Sequence, residues 1–319
     1  MRHLIAILPG VLVLSLALGA QTSAQHLAEL RSDDPGRRLG AFYRLAARGG
    51  PAAGVSVQAA VAPLARQSPP LRAALIEALG RENAYLRQGL ELGDEYSNYY
   101  GDLLAVVAQL GDARAIPALA DAMGTGHLAM SALAQFGRPA LDAVLERLNQ
   151  GRSRRSACAV LGRMLDPDNP AYIREPESRK RIEDSLLDAS RRFGPLVKVT
   201  ALEALTRSDR AELRQAAVRE LEELAGREGG TAQDAAFHSL RWLAEGGGPA
   251  TARTLAVDAL GAIARRPDGS FRQPAATALQ QIAKAEDGEA AKAAREALGR
   301  LWRTNRLERL LERAAPPEQ

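Results

Sequence analysis

An all-α fold, arranged as an α-solenoid of stacked antiparallel helix pairs, is expected from this chain on three grounds. Its 319 residues are 46% hydrophobic but only 4% aromatic, and rich in Ala, Leu, Arg and Glu, a composition that favours helices and offers little to a sheet. The stretch from Leu104 to Leu119 reads as a helix, a tight turn at Gly111-Asp112, and a second helix begun through Pro117. The same grammar then recurs. Ala78-Leu-Gly80, Gln109-Leu-Gly111, Gln135-Phe-Gly137, Val160-Leu-Gly162, Ala259-Leu-Gly261 and Ala297-Leu-Gly299 each look like an apolar helix closed by a glycine. The first four recur at intervals of roughly 25–31 residues, which suits one short helix pair per interval.

Taken in chain order, residues 1–24 read as a signal peptide. Arg2 and His3 supply a basic start, Leu4 to Ala20 is uncharged and mostly apolar, and Thr22-Ser-Ala24 offers small residues at a cleavage site. The apolar run is broken by Pro9-Gly10 and is marginal as a bilayer span; no later stretch is long enough to be one. An exported protein, periplasmic or secreted, with no transmembrane span after leader removal, is the expectation. Residues 25–314 then form a single elongated solenoid of roughly seven or eight pairs. Pairs one and two fall within 25–88, three to five within 98–192, and the others from 195 to 314. The later helices are expected at 199–205, 213–221, 235–243, 251–264, 273–283 and 290–302. Turns at 226–230, Gly246-Gly-Gly-Pro249 and Arg266-Pro-Asp-Gly269 separate them. A last helix capped at Thr304 or Asn305 would present Leu307, Leu310 and Leu311 on one side, and Pro316-Pro317 ends it in a short tail, 315–319. Residues 81–102 and 165–180 interrupt the rhythm and read as insertions of the kind that carry contacts.

The segment Leu110-Gly-Asp-Ala-Arg-Ala-Ile-Pro-Ala-Leu119 resembles the turn and second helix of HEAT repeats, especially the short bacterial kind also found in phycobilin lyase subunits. Asp34-Pro-Gly-Arg-Arg-Leu-Gly-Ala-Phe-Tyr-Arg-Leu45 resembles the same motif more loosely. The resemblance extends over most of the chain from residue 25 and is strongest at 98–165. It implies a curved stack, on the order of 70–80 Å long at helix spacings of roughly 8–10 Å. It also implies a concave face lined by second helices, which makes Arg114, Asp121 and Arg147 candidate contact residues.

Chemistry is thinly represented. Cys158 is the sole cysteine and lies on an apolar stripe, so it reads as a buried small hydrophobe with no disulfide to form. His26, His127 and His238 fall in different repeats, with no His-x-x-x-His or Cys-x-x-Cys spacing, so no metal site is expected. Asp234 and His238 are one turn apart but lack a nucleophile beside them. Neither a Gly-x-Ser-x-Gly elbow nor a phosphate-binding glycine loop occurs, and the Asp166-x-Asp-Asn fragment lacks the distal Glu of a calcium loop. No cofactor is expected. The formal net charge is +4, and the leader would remove only Arg2, so the field is too weak to argue for nucleic acid. Arg152, Arg154, Arg155, the Arg179-Lys-Arg181 run and Arg191-Arg192 read as a solvated face, and Trp242 and Trp302 as core.

One local anomaly stands out. Tyr85, Tyr96, Tyr99 and Tyr100 cluster with Glu91, Asp94, Glu95 and Asp102. Rigid amphipathic rings beside carboxylates give contact area at low entropic cost. The competing expectation is that Tyr99 and Tyr100 simply open the third pair and pack beneath the loop. Together these readings predict a non-catalytic protein-binding or scaffold protein of the cell envelope, with a protein partner contacted through Tyr85, Asp94, Glu95, Tyr96, Tyr99, Tyr100, Arg114, Asp121 and Arg147. The alternative is an enzyme or enzyme subunit using a solenoid cleft, as the lyase resemblance implies.

Overall fold

The computed structural model describes residues 24–49, 56–89, 93–151, 153–227, 229–267, 269–285 and 288–314. The expected leader, apart from Ala24, and the tail at 315–319 lie outside the described residues. Within them every regular element is a helix, and no strand occurs. The fold is all-α. Contacts divide the chain between Phe136 and Gly137 into two units.

The first unit holds α1 (residues 24–30), α2 (Pro35–Gly49), α3 (Val57–Gln67), α4 (Pro69–Leu86), α5 (Asp94–Leu110), α6 (Ile116–Asp121) and α7 (His127–Phe136). The sequence dictates where several of these start and stop. Asp34 Oδ1 accepts from Gly36 N at 2.8 Å, and Pro35 takes the first helical position of α2, where its missing N–H is no loss. Ser68 alone joins α3 to α4. Its N–H closes α3 on the Leu64 carbonyl, while its hydroxyl accepts from Leu71 N to open α4. The following Pro69-Pro70 holds Ser68 in extended backbone, so the chain must turn there. Gly111 ends α5 at φ 63°, the left-handed conformation that glycine adopts without a Cβ clash. In this unit α2 packs on α3, α3 and α4 on α5, α4 on α6, and α5 and α6 on α7.

The second unit holds α8 (Leu141–Gln150), α9 (Arg154–Leu165), α10 (Pro176–Arg192), α11 (Pro195–Leu205), α12 (Ala211–Ala225), α13 (Thr231–Trp242), α14 (Ala250–Arg265), α15 (Arg272–Ala283) and α16 (Glu289–Ala314). Here too a helix touches its chain neighbour and the helix two places on: α9 meets α11, α11 meets α13, α12 meets α14, and α14 meets α16. Pairing with the next helix and stacking on the one after is how narrow alanine-rich helices bury a stripe that no single pair could cover.

The structure corrects several boundaries. Gly111 and Gly137 do close helices, at φ 63° and 59°. Gly80, Gly162, Gly261 and Gly299 do not; they lie inside α4, α9, α14 and α16. At Gly162 the reason is packing, since a Cβ there would fall 2.8 Å from Ala204 Cβ on α11. Gly261 likewise faces Ala297 of α16, whose Cβ would lie 3.2 Å away. Because α4 runs on to Leu86 and α5 opens at Asp94, the expected insertion at 81–102 shrinks to the short connection between them. The one at 165–180 shrinks to 166–175. No break occurs at Thr304 or Asn305: α16 is continuous, and the Thr304 hydroxyl donates to the Arg300 carbonyl one turn back. Trp242 and Trp302, expected in the core, are 42% and 61% exposed.

The two kinds of mid-helix glycine should respond oppositely to alanine. A Cβ at Gly80 meets nothing within 4 Å, so Gly80→Ala should stabilise by about 0.5–1 kcal/mol through lost backbone freedom of the unfolded chain. Gly162→Ala forces α9 from α11 and should cost about 1–3 kcal/mol. Urea denaturation of the two variants checks this, and shifts of the same sign would refute it.

Candidate functional site

Two helix stripes in the first unit carry polar residues where apolar ones belong. On α2, Arg38 shares the buried side with Ala41, Phe42 and Leu45. On α4 the stripe Leu71, Ala74, Leu75, Ala78 and Leu79 runs straight into Glu82 and Asn83. These intruders find one another. Arg38 is 2% exposed and Glu82 fully buried, and Arg38 Nε donates to Glu82 Oε1 at 2.5 Å. Tyr99 Oη of α5 donates to the same oxygen at 3.1 Å. Arg38 Nη1 donates to the carbonyls of Ser32 and Asp33 at 2.7 and 2.9 Å, tying α2 to the turn before it. Alongside, Tyr100 Oη donates to Asn83 Oδ1 at 2.8 Å, and Asn83 Nδ2 donates to the Ala118 carbonyl of α6 at 2.8 Å. Four helices are thereby joined by polar contacts inside the unit. Burial opposes the charge on Arg38, but the bond and charge of Glu82 outweigh it and hold the guanidinium above its usual value. Burial, then the neighbouring carboxylate, pushes the Tyr99 phenol well above the ordinary range.

Outside this buried junction runs a rail of rings. Phe42 meets Tyr99 edge-on at 5.4 Å, and Tyr43 meets Tyr99 at 6.4 Å. Tyr99 meets Tyr96 at 5.7 Å, and Tyr96 meets Tyr85 at 5.5 Å. Tyr43, Tyr85 and Tyr96 are half-buried, so each shows part of its ring to solvent. Burial first, then the Asp102 carboxylate of α5, which also hydrogen-bonds the phenol, and Glu95 raise the Tyr43 phenol. Gln58 of α3 reaches Asp102 Oδ1 at 3.5 Å.

The structure sorts the expected contact residues accordingly. Tyr99 and Tyr100 are interior, 0% and 7% exposed, and are corrected from contact residues to structural ones, because their hydroxyls are consumed by Glu82 and Asn83. Tyr85 closes α4, and Tyr96 lies on α5 with part of its ring at the surface. Asp94 and Glu95 are exposed in the first turn of α5, where carboxylates favour the helix dipole. Asp121 pairs with Arg87 at 3.3 Å. Arg114 lies in the turn between α5 and α6, exposed, with Nη2 2.6 Å from Asp112 Oδ2. Arg147 belongs to α8 of the second unit, where its Nη1 donates to Gln150 at 2.5 Å. Arg38, Phe42, Tyr43, Glu82 and Asn83 were missed. Arg38, Glu82 and Asn83 carried a signal, a charge or amide standing on an apolar stripe, whereas nothing in the sequence set Phe42 and Tyr43 apart.

Other candidates resolve simply. Cys158 is fully buried, and burial pushes its thiol up to about 12, so it is inert at neutral pH. His127, Asp234 and His238 are exposed, and His26 is buried. Four cations of the basic run of the second unit are paired within it: Arg181 with Asp142, Lys180 with Asp184, Arg192 with Asp188, and Arg179 with Asp209. Arg154 lies over the Phe193 ring at 3.9 Å. No helix of the described residues is long and apolar enough to cross a membrane.

No protein-family model matches the chain, and no curated protein matches it. Among solved structures the chain is similar to two engineered proteins from the Northeast Structural Genomics Consortium. Each is 18% identical over 87% of this chain, covering 95% and 77% of theirs, with a TM-score of 0.25.

Two predictions follow from the geometry of this unit. Arg38→Ala strands a buried carboxylate and should cost about 3–5 kcal/mol in thermal or urea denaturation. The double change Arg38→Met with Glu82→Leu, which removes both charges, should recover most of that loss. The second concerns the turn after α5. Bonds from the Arg114 side chain hold the Asp112 carboxyl down at about 2. A lowered folded value means stability that is fully present above the unfolded value of about 3.9 and is lost as pH falls toward 2. Asp112→Ala should cost about 0.5–2 kcal/mol at pH 7 as the cap is lost. The gap between the native chain and Asp112→Asn should narrow between pH 4 and 2 in urea titrations.

Proposed function

We propose that this is a non-catalytic protein-binding protein of the cell envelope, a HEAT-like α-solenoid that docks its partner on the α2–α5 face of the first unit. The observation that carries the reading is the placement of Tyr43, Tyr85 and Tyr96. They form the half-buried side of a ring cluster whose inner members are Phe42 and Tyr99, the latter held by Glu82. Rings held rigid before contact lose little entropy on binding, which is what a protein-contact face needs. Stacking of helices on their second neighbours within each unit supports the solenoid arrangement, and sixteen helices would make eight pairs. The basic, apolar and small-residue order of residues 1–24 supports export.

Site-directed photocrosslinking tests this reading. A photoreactive residue replacing exposed Asn98 on α5 should capture one dominant protein in living cells, and one replacing exposed Asp188 on α10 should not. Equal capture at both positions, or none at Asn98, would overturn it.

A further inference from the structure

An open cavity of about 420 Å³ lies in the second unit where α14, α15 and α16 pack together, within the range of small-molecule sites, roughly 300–1,000 Å³. Its apolar lining is Ala264 of α14, Ala276 of α15, and Leu298 and Leu301 of α16. Alanine at 264 and 276 leaves space that larger side chains would fill. Trp302, one position beyond Leu301, lines the same cavity and is 61% exposed, more than any other large apolar side chain described. An indole so placed gives up burial, which a surface position can avoid by carrying a polar residue. Gln273 and Gln280 bring polar groups to the cavity. They stand two turns apart on α15 with Ala276 between them, so one side of the helix carries all three. Both are exposed, and neither side-chain amide has a hydrogen-bond partner among the described residues. The one charged group of the lining, Arg272, is half-buried and donates from Nη1 to the Pro267 carbonyl at 3.3 Å.

We infer that this cavity binds a neutral sugar, one or two rings of an uncharged oligosaccharide. A ring lays its C–H face on the Trp302 indole, and its hydroxyls bond the Gln273 and Gln280 amides. A pyranose offers both surfaces at once: its ring C–H groups make a flat apolar face, and its rim of hydroxyls donates and accepts. The indole is rigid, flat and apolar, and each amide carries both a donor and an acceptor, so each surface meets its match. A purely apolar ligand would cover two amides and leave them unpaired, which disfavours it. An anion would meet one guanidinium, already engaged by the Pro267 carbonyl. The site belongs to the second unit and stands independently of the contact face of the first.

The chain has two tryptophans, so Trp242→Phe leaves Trp302 as the sole indole reporter. That variant of the purified protein is titrated with three neutral probes, maltotetraose, cellotetraose and N-acetylated chitotetraose, and with an uncharged peptide of similar mass. At least one sugar should change the Trp302 emission saturably, with an affinity that raised salt leaves unchanged. Calorimetry then reads the variants that lack the reporter. Trp302→Ala should weaken binding roughly tenfold or more, and Gln273→Ala combined with Gln280→Ala roughly fivefold or more. Far-ultraviolet circular dichroism of each variant confirms that it is folded. Absence of binding by all three sugars, or binding undiminished in Trp302→Ala, would overturn the inference. Equal binding of the peptide, with the same dependence on Trp302 and the two amides, would overturn the sugar as ligand and make the cavity a peptide site.

Discussion

Close approach of small side chains is the constraint on which the helical packing depends. A helix rich in alanine exposes a shallow apolar stripe, and the free energy of burying it scales with area. Such helices gain by coming close, so that backbone atoms take part in the contact. Gly162 over Ala204 and Gly261 over Ala297 are the visible cases, and in each the glycine leaves no room for even a methyl group without adjustment. Each also joins a helix to its second neighbour, α9 to α11 and α14 to α16. Stacking therefore rests on positions where side-chain volume is absent.

The buried junction of the first unit works by the opposite logic. Here large polar groups, Arg38, Glu82, Asn83, Tyr99 and Tyr100, occupy positions that leucine or alanine could fill. Removing Arg38 and Glu82 from water is costly, and their mutual attraction offsets that cost only if the geometry is good and further hydrogen bonds are made. The carbonyls of Ser32 and Asp33 supply those bonds to the guanidinium and the Tyr99 hydroxyl supplies one to Glu82 Oε1, while Glu82 Oε2 takes none. What the arrangement provides is register. An apolar stripe tolerates sliding by a turn, whereas Glu82 can meet Arg38 and Tyr99 in one alignment of α2, α4 and α5. The junction also fixes Tyr99, and through it the rings of Tyr43 and Tyr96.

Helix identity was legible in the sequence because composition and period agree over long windows, and the turns at Gly111 and Gly137 were legible because glycine after an apolar run has a conformational meaning. The same rule misread Gly80, Gly162, Gly261 and Gly299. A glycine that permits a turn and one that permits a close contact look alike in one dimension, and which is needed depends on a helix some 36–42 residues away. The tyrosine cluster was legible as an anomaly of composition, but not its division into inner and outer rings. That division follows from position along α5 and not from its phase: Tyr96, Tyr99, Tyr100 and Leu103 share one side, but Tyr96 lies a turn earlier, near the helix start. Arg38 and Glu82 were readable as charges on apolar stripes. Their partnership was not, since α2 and α4 are separated in the chain by α3.

Three acids of the first unit, Asp94, Glu95 and Asp102, have no described cationic partner, and each has a reason internal to the fold. Asp94 and Glu95 occupy the first turn of α5, which has no side-chain cap, and carboxylates there offset the positive end of the helix dipole. That influence fades within a turn, and Asp102 lies in the third. A half-buried carboxylate in mid-helix, beside a tyrosine and a glutamine, gains nothing from the dipole and pairs with no described cation, although arginine has been placed against seven other acids of the same unit. Its reason is a pair of contacts: it bonds the Tyr43 phenol of α2 and accepts from the Gln58 amide of α3 at 3.5 Å. One carboxylate at the edge of the unit therefore ties α2, α3 and α5, as Glu82 ties α2, α4 and α5 inside it.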